Sequence, residues 1–237
     1  MPRFAKIVCT LGPSSGTKPM IRKLINAGMD VARLNFSHGD HESHMAMINL
    51  IRECSRELGK PVAILQDLQG PKLRVGKLPM DGVELRANAI VRLFQIGDHS
   101  EQFEGSEIAL PLDVPNLTKA VKPGNRILLD DGKLELQVTK VDDNYVETRV
   151  ILGGLLKSHK GVNLPGTDLG IPRFTEKDRV DLAFGLSNAV DYVAISFVDS
   201  AEDIREVKRI ISEMNPARAK TPIIAKLERP LAIKNLH

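Results

Sequence analysis

The chain has 237 residues, of which 42% are hydrophobic and 27% are charged, and its formal net charge is +3. This balance is typical of a globular protein with a sizeable core and argues against an intrinsically disordered chain. The sequence has no Lys/Arg run of the kind that binds nucleic acid, and no stretch of about 18 apolar residues that could span a membrane. We therefore expect neither nucleic acid nor a membrane as a partner.

Cysteine usage indicates a reducing compartment. Cys9 and Cys54 are the only cysteines, and neither belongs to a CxxC pair or to a His/Cys cluster with zinc spacing. Disulfides and structural zinc are therefore not expected. A cytoplasmic location is predicted.

The first part of the chain alternates short apolar runs with helical patterns. Its predicted elements are strands at 5–11, 30–36 and 61–68 and helices at 17–27 and 41–58. The helical segments have apolar side chains at three- and four-residue spacing, and they stop at Gly28 and Gly59. This alternation, with nearly continuous apolar strands, is typical of an α/β protein with a parallel sheet.

The pattern then changes to an all-β one. Short strand-like runs, separated by turn pairs such as Asp-Gly, are predicted at 83–85, 90–94, 126–129, 134–138 and 145–150. Runs at this spacing predict a small barrel or sandwich. We therefore expect a first α/β part at 1–70, an inserted β module at 71–166 and a second α/β part at 167–237.

The α/β pattern returns after the inserted module. Its predicted elements are helices at 175–186 and 201–214 and strands at 190–197 and 221–228. Thr175 and Asp178 have the spacing of a capping box, which predicts the start of the first of these helices. Five core strands are expected in total, three before the inserted module and two after it.

Polar side chains collect where these strands end. Alternation places Arg33, Asn35 and Ser37 on one face of the second strand, and Lys226 and Glu228 on one face of the fifth. Ligands bind at the carboxyl ends of parallel strands, so these groups favour a divalent metal and a phosphate-bearing substrate. A strand end that frays into solvent and a simple Lys–Glu ion pair are the alternative interpretations.

Three histidines lie close together near the start of the second helix: His38, His41 and His44. A metal site normally has a fuller ligand set than this. We therefore interpret them as solvated histidines at a helix start.

Eight sequence motifs occur in an order typical of one family. They are KIVCTLGPSS, ARLNFSHG, DLQGPKLR, LLDDGKLELQV, KGVNLPG, TEKD, VAISF and AKLER. With these motifs the chain resembles pyruvate kinase from Ala5 to its last residue. The resemblance implies a (β/α)8 barrel, interrupted after its third strand by a β-barrel lid and followed by a C-terminal domain. It also implies phosphoryl transfer from phosphoenolpyruvate to ADP in glycolysis, giving pyruvate and ATP.

The resemblance assigns a role to each candidate site residue. Arg33 would bind the substrate phosphate, Lys226 would be the catalytic cation beside the same substrate, and Glu228 would ligate Mg²⁺ or Mn²⁺. The residues that match the monovalent-cation site are Asn35, Ser37, Asp67 and Leu68 through its carbonyl. Those that match nucleotide contacts with ADP or ATP are Asn35, Ser37, His38, Arg74 and Lys160.

Two departures from the family pattern affect these expectations. Lys72 occupies the position that is Glu in potassium-dependent members, so K⁺ is not expected to be required. The second metal carboxylate, the last three barrel strands and the C-terminal domain would lie beyond His237. The sequence therefore predicts a truncated barrel with about five of eight strands, which would be inactive alone. The resemblance also implies that full-length relatives are homo-oligomers.

Two other functions are consistent with the sequence. One is a lyase or aldolase of the phosphoenolpyruvate/pyruvate barrels, with Lys226 as a Schiff base. Glu228 and the β module argue against it. The other is a non-catalytic truncated product, or a half-chain that needs a complementary partner.

Overall fold

The computed structural model describes residues 4–97 and 108–236. It has two compact units, one formed by Met1–Pro71 with Arg173–His237 and the other by Lys72–Pro172. The second unit extends beyond residue 166 because Leu169 is buried in its core. The carbonyl of Leu169 also accepts a hydrogen bond from the Asn116 amide at 3.1 Å. Residues 98–107 of the expected module lie outside the described residues.

The first unit is an α/β structure built on a five-stranded parallel sheet. In chain order the strands are β1 (Val8–Leu11), β2 (Val31–Asn35), β3 (Ala63–Asp67), β13 (Tyr192–Ile195) and β14 (Ile223–Ala225). This is also their order in the sheet, and every neighbouring pair is parallel. All five strands therefore end at the same edge, which is where the candidate site lies.

Helices follow the strands of this unit. They are α1 (Lys18–Ala27), α2 (His41–Leu58), α4 (Glu176–Ser187), α5 (Ala201–Met214) and α6 (Pro230–Lys234), with a 3₁₀ turn at Pro216–Arg218. The bounds of α2 and α5 agree with the sequence prediction. The predicted capping box of α4 is also present, with Thr175 and Asp178 exchanging hydrogen bonds. Among the described residues, no helix is both long and apolar enough to cross a membrane.

A core of aliphatic side chains holds the helices against the sheet. Leu34 of β2 and Ile64 of β3 pack with Ile21 of α1 and Ile51 of α2, and none of the four is more than 1% exposed. Burial of one such side chain contributes about 1.5–3 kcal/mol. This packing fixes the strand ends that carry the polar site residues.

Across residues 72–97 and 108–172, the second unit contains a seven-stranded sheet and a two-stranded one. The larger sheet contains β4 (Arg74–Val75), β6 (Ile90–Gln95), β7 (Ile108–Asp113), β8 (Arg126–Leu129), β9 (Leu134–Val141), β10 (Val146–Leu152) and β12 (Val162–Asn163). The smaller sheet pairs β5 (Val83–Leu85) with β11 (Gly154–Leu156), and the short helix α3 (Leu117–Ala120) completes the unit.

The larger sheet closes on itself. Its order is β12-β8-β9-β10-β6-β7-β4, so β12 and β4 are the terminal strands. These two strands meet through an antiparallel bridge between Arg74 and Gly161. The Val75 amide donates to the Lys160 carbonyl at 2.8 Å and the Val162 amide to the Leu73 carbonyl at 3.0 Å. The arrangement is therefore a barrel rather than a sandwich.

Candidate active site

Asp67 lies at the centre of a charged cluster at the carboxyl ends of the parallel strands. Its side chain is 1% exposed and contacts cations from two different strand ends. Arg33 of β2 donates from Nε to Asp67 Oδ2 at 2.7 Å. Lys226, directly after β14, places Nζ 2.8 Å from Asp67 Oδ1. A carboxylate buried this deeply requires compensating positive charge, which the two cations supply.

Arg33 is oriented by a second partner. Its Nη1 donates to Thr10 Oγ1 of β1 at 2.7 Å, so two neighbouring strands fix the guanidinium plane. The side chain is still 31% exposed. Guanidinium has five N–H donors in a rigid fork, so Arg33 can also bind an anion from solvent.

Glu228 is the second carboxylate of the cluster. Its Oε1 lies 3.5 Å from Lys226 Nζ. Its Oε2 accepts a hydrogen bond from the Phe197 amide at 3.0 Å. Phe197 has a φ of 57°, which is uncommon for a bulky residue, and this conformation belongs to the turn that presents its N–H to Glu228. Glu228 is therefore held by the loop after β13 while its side chain stays 38% exposed.

Further polar groups lie on the turns that follow β2 and β3. The Ser37 amide donates to Asn35 Oδ1 at 3.0 Å, and the His38 amide donates to the Asn35 carbonyl at 3.3 Å. The hydroxyl of Ser196, after β13, donates to the Leu68 carbonyl at 2.7 Å. The strand ends thus present Arg33, Asn35, Asp67 and Lys226 together. The sequence predicted that Arg33 and Asn35 lie on one face of β2, because side chains alternate along a strand.

The second unit brings two of its cations to one place. Arg74 pairs with Gly161 at the seam of the barrel, next to Lys160 in the chain. A guanidinium nitrogen of Arg74 donates to the His159 carbonyl. Lys160 Nζ lies 2.9 Å from Asp130 Oδ1, and this hydrogen bond holds the pKa of Asp130 below its usual value. Lys72, the first residue of this unit, is half-buried.

Two of the three histidines are not simply solvated, so that part of the sequence interpretation is wrong. His41 Nε2 lies 2.8 Å from Oδ1 of the buried Asp181, and its ring stacks on Phe184. The ring of His44 stacks on Phe36 at a centroid distance of 3.9 Å. Burial lowers the pKa of His44. His38 is exposed, as expected.

Comparison with known proteins identifies the family of this sequence. The model of the pyruvate kinase barrel domain matches residues 2–237. The chain belongs to the pyruvate kinase family. It is 46% identical to pyruvate kinase 2 of Synechocystis sp. over 240 residues, which is all of the chain and 39% of that protein. It is 43% identical over 236 residues to the pyruvate kinase of Corynebacterium glutamicum, all of the chain and 48% of that protein. The chain therefore spans less than half the length of these relatives.

The charged cluster has two carboxylates that a divalent metal could use, those of Asp67 and Glu228. Among residues 4–97 and 108–236, no group of three or more His, Cys, Asp and Glu side chains could hold a metal ion. Both oxygens of Asp67 contact cations. Glu228 is thus the carboxylate of this cluster best placed for Mg²⁺, which accepts one or two protein carboxylates and completes its shell with water and phosphate.

Three oxygens that match the family's monovalent-cation site already accept protein hydrogen bonds: Asn35 Oδ1, Asp67 Oδ2 and the Leu68 carbonyl. The Arg33 and Lys226 side chains contact Asp67. The Ser37 amide bonds Asn35, and the Ser196 hydroxyl bonds the Leu68 carbonyl. A potassium ion would have to share these oxygens with their present donors.

Two residues of the cluster were not identified from the sequence. Thr10 lies in an apolar strand, and its contact with Arg33 depends on the β1–β2 register, in which Thr10 and Arg33 are paired. The role of Phe197 depends on its backbone N–H, which any residue type except proline would supply. The motifs KIVCTLGPSS and VAISF contain these residues and were the available signal.

Proposed function

We propose that this chain supplies the first part of the active site of a pyruvate kinase, transferring a phosphoryl group from phosphoenolpyruvate to ADP. The observation that carries the proposal is the pair of partly exposed cations, Arg33 and Lys226, on the buried carboxylate of Asp67. The products would be pyruvate and ATP. The activity is proposed for a polypeptide in which residues 1–237 are joined to the remaining length of the relatives.

The two units would correspond to the barrel and the lid domain that the family resemblance implies. The five-stranded parallel sheet would be part of an eight-stranded barrel, since its order is sequential and every pair is parallel. The closed sheet of Lys72–Pro172 would be the inserted lid domain. The polypeptide would be a cytoplasmic, homo-oligomeric enzyme of glycolysis.

Arg33 and Lys226 would have different roles toward phosphoenolpyruvate. Arg33 is fixed by Asp67 and Thr10, so its outward N–H groups would bind the substrate phosphate without reorientation. Lys226 is a compact charge held 2.8 Å from Asp67 Oδ1. It would stabilise the transferring phosphoryl group and then the enolate oxygen. Such a fixed cation acts mainly in the transition state.

Glu228 would hold Mg²⁺ or Mn²⁺ with groups outside this chain. The metal, when bound, neutralises phosphate charge. The Phe197 amide orients Glu228 through Oε2, at 3.0 Å. That contact would keep the carboxylate pointed toward the substrate side of the cluster.

The residues that match the family's nucleotide contacts fall into two groups, each within one unit. Asn35, Ser37 and His38 lie on the turn after β2, and Arg74 and Lys160 lie together at the seam of the second unit. Two cations suit the phosphates of ADP or ATP. Asp130, which pairs with Lys160, would keep that ammonium in place before nucleotide binds.

Potassium would not be required. By the family resemblance Lys72 would supply an ammonium where potassium-dependent members have Glu, and Asn35 Oδ1 and the Leu68 carbonyl already accept protein hydrogen bonds. An ammonium carries the same unit charge as the ion.

The test uses residues 1–237 fused to the C-terminal part of the Synechocystis relative, called the completed chain below. ADP-dependent pyruvate formation from phosphoenolpyruvate is measured in a coupled assay. We expect Lys226→Met to lower kcat by at least about a hundredfold with a smaller change in KM. Lys208→Met, at an exposed position of α5, is the matched control. A Lys226→Met variant that loses affinity but keeps kcat contradicts the assigned role.

The lyase function is less well supported. A Schiff-base lysine is typically activated in an apolar pocket or beside another cation. Lys226 instead lies beside two carboxylates, those of Asp67 and Glu228. Borohydride trapping of pyruvate on Lys226 would favour the lyase.

A further inference from the structure

The TEKD motif at the start of α4 has no role in the function proposed above. Its Thr175 and Asp178 cap the helix. Two of its side chains also reach beyond the helix, to the turns that follow β2 and β3. Those turns carry Ser37, His38 and Leu68, so the motif is tied to residues assigned to the site.

Lys177 fixes one peptide group of the turn after β2. Its Nζ donates to the Phe36 carbonyl at 2.9 Å. The Ser37 N–H belongs to the same peptide group and donates to Asn35 Oδ1 at 3.0 Å. Both polar ends of this peptide are therefore hydrogen-bonded, which sets the orientation of the peptide plane from which Ser37 projects.

The Lys177 ammonium is itself held in place. Asp181, one turn later on α4, places Oδ2 2.5 Å from Lys177 Nζ. The other oxygen of Asp181 lies 2.8 Å from His41 Nε2, at the first turn of α2. The side chain of Asp181 is 6% exposed. A charge-assisted hydrogen bond in such a setting is stronger than a neutral one on the surface.

A second carbonyl of the turn, that of His38, is held by a residue of α2. His44 Nε2 lies 2.9 Å from the His38 carbonyl, which accepts, so Nε2 carries the proton. The ring is stacked on Phe36 with an interplanar angle of 9°. Ser37 and His38 thus lie between a carbonyl held by Lys177 and a carbonyl held by His44.

Asp178 accepts a hydrogen bond from the turn after β3. Its Oδ1 accepts from the Gly70 amide at 2.9 Å, and its Oδ2 accepts from the Thr175 amide at 2.9 Å. A carboxylate that only capped a helix would normally be solvated, yet Asp178 is 1% exposed. Gly70 has a φ of +69°, and a Cβ there would lie 3.0 Å from Phe197 and Ser196 atoms.

We propose that Lys177 is a positioning residue for the active site, holding the turn after β2 in its working conformation. The proposal rests on the function proposed above for Ser37 and His38. Lys177 would touch neither substrate nor metal. It acts through the peptide between Phe36 and Ser37, and its loss would loosen the nucleotide side of the site.

The test compares Lys177→Met, Lys177→Arg and the control Lys208→Met. In the 237-residue chain, amide hydrogen exchange at residues 36–38 is followed by NMR, which requires no catalysis. We expect Lys177→Met to accelerate exchange by at least about tenfold, the size expected for loss of a hydrogen bond to a charged group. Lys177→Arg, which keeps the donor and the charge, should restore protection to within about threefold.

The second readout is the KM for ADP in the completed chain. Lys177→Met should raise it by about tenfold while kcat changes less than about threefold. Unchanged exchange at residues 36–38 overturns the proposal, and so does faster exchange with an unchanged KM. Loss of all activity in the unsubstituted completed chain would instead overturn the proposed function, and the exchange data would still decide whether Lys177 holds the turn.

Discussion

Replacing Asp67 by Asn removes the buried charge that two cations share. Arg33 Nε lies 2.7 Å from Asp67 Oδ2 and Lys226 Nζ lies 2.8 Å from Oδ1. A pair of unit charges about 4 Å apart is worth about 4 kcal/mol at an effective dielectric constant of 20. Arg33 and Lys226 are 31% and 26% exposed, so solvent screens part of this attraction. We therefore expect Asp67→Asn to lower the free energy of unfolding of the first unit by about 3 kcal/mol.

Hydrogen exchange of β2 and β3 amides in urea measures this loss. It reports on the first unit alone, which matters because units with separate cores can unfold in separate steps. Glu206→Gln, at an exposed position of α5, is the control and should change stability by less than about 0.5 kcal/mol. In the Lys226→Met background the cost of Asp67→Asn should fall by about 1 kcal/mol or more. A loss no larger than the control's would refute the shared-charge arrangement.

Three further predictions concern potassium, pH and the isolated chain. The completed chain should form pyruvate in sodium or tetramethylammonium buffer, and Lys72→Glu should make this activity depend on potassium. A strict potassium requirement in the unsubstituted protein would contradict this prediction. Burial lowers the pKa of His44 from about 6.5. The unfolded state therefore binds more protons than the folded state, and the free energy of unfolding should fall as the pH drops below that value. A His44→Phe variant should show a smaller pH dependence in urea unfolding between pH 5 and 7. Residues 1–237 alone should form no pyruvate in the coupled assay, because five strands do not close an eight-stranded barrel. Activity of that chain that disappears with Lys226→Met would disprove this last prediction.

Local patterns predicted the elements well where the pattern was long. The bounds of α2 follow from its apolar spacing and from Gly59 at its end, and the start of α4 follows from its capping box. The strands β4 and β12 have two residues each and no readable pattern. The strand β7 contains Pro111, which obscures its strand character. These strands form only because the barrel supplies partners for them.

The candidate site was predictable within each strand but not across strands. Alternation placed Arg33 and Asn35 on one face of β2. The pairing of Lys226 with Asp67 depends on β13 lying between β3 and β14, which no local pattern contains. The contact between His41 and Asp181 spans 140 residues. For that reason His41 was expected to be solvated and is instead half-buried.

The most direct test of the proposed phosphoryl transfer is phosphorus NMR of the completed chain with phosphoenolpyruvate, ADP and Mg²⁺. One ATP should appear for each phosphoenolpyruvate consumed, and Lys226→Met should abolish this transfer while Lys208→Met should not. Consumption of phosphoenolpyruvate with release of inorganic phosphate and no ATP would contradict it. So would a folded completed chain that binds both substrates and transfers no phosphoryl group.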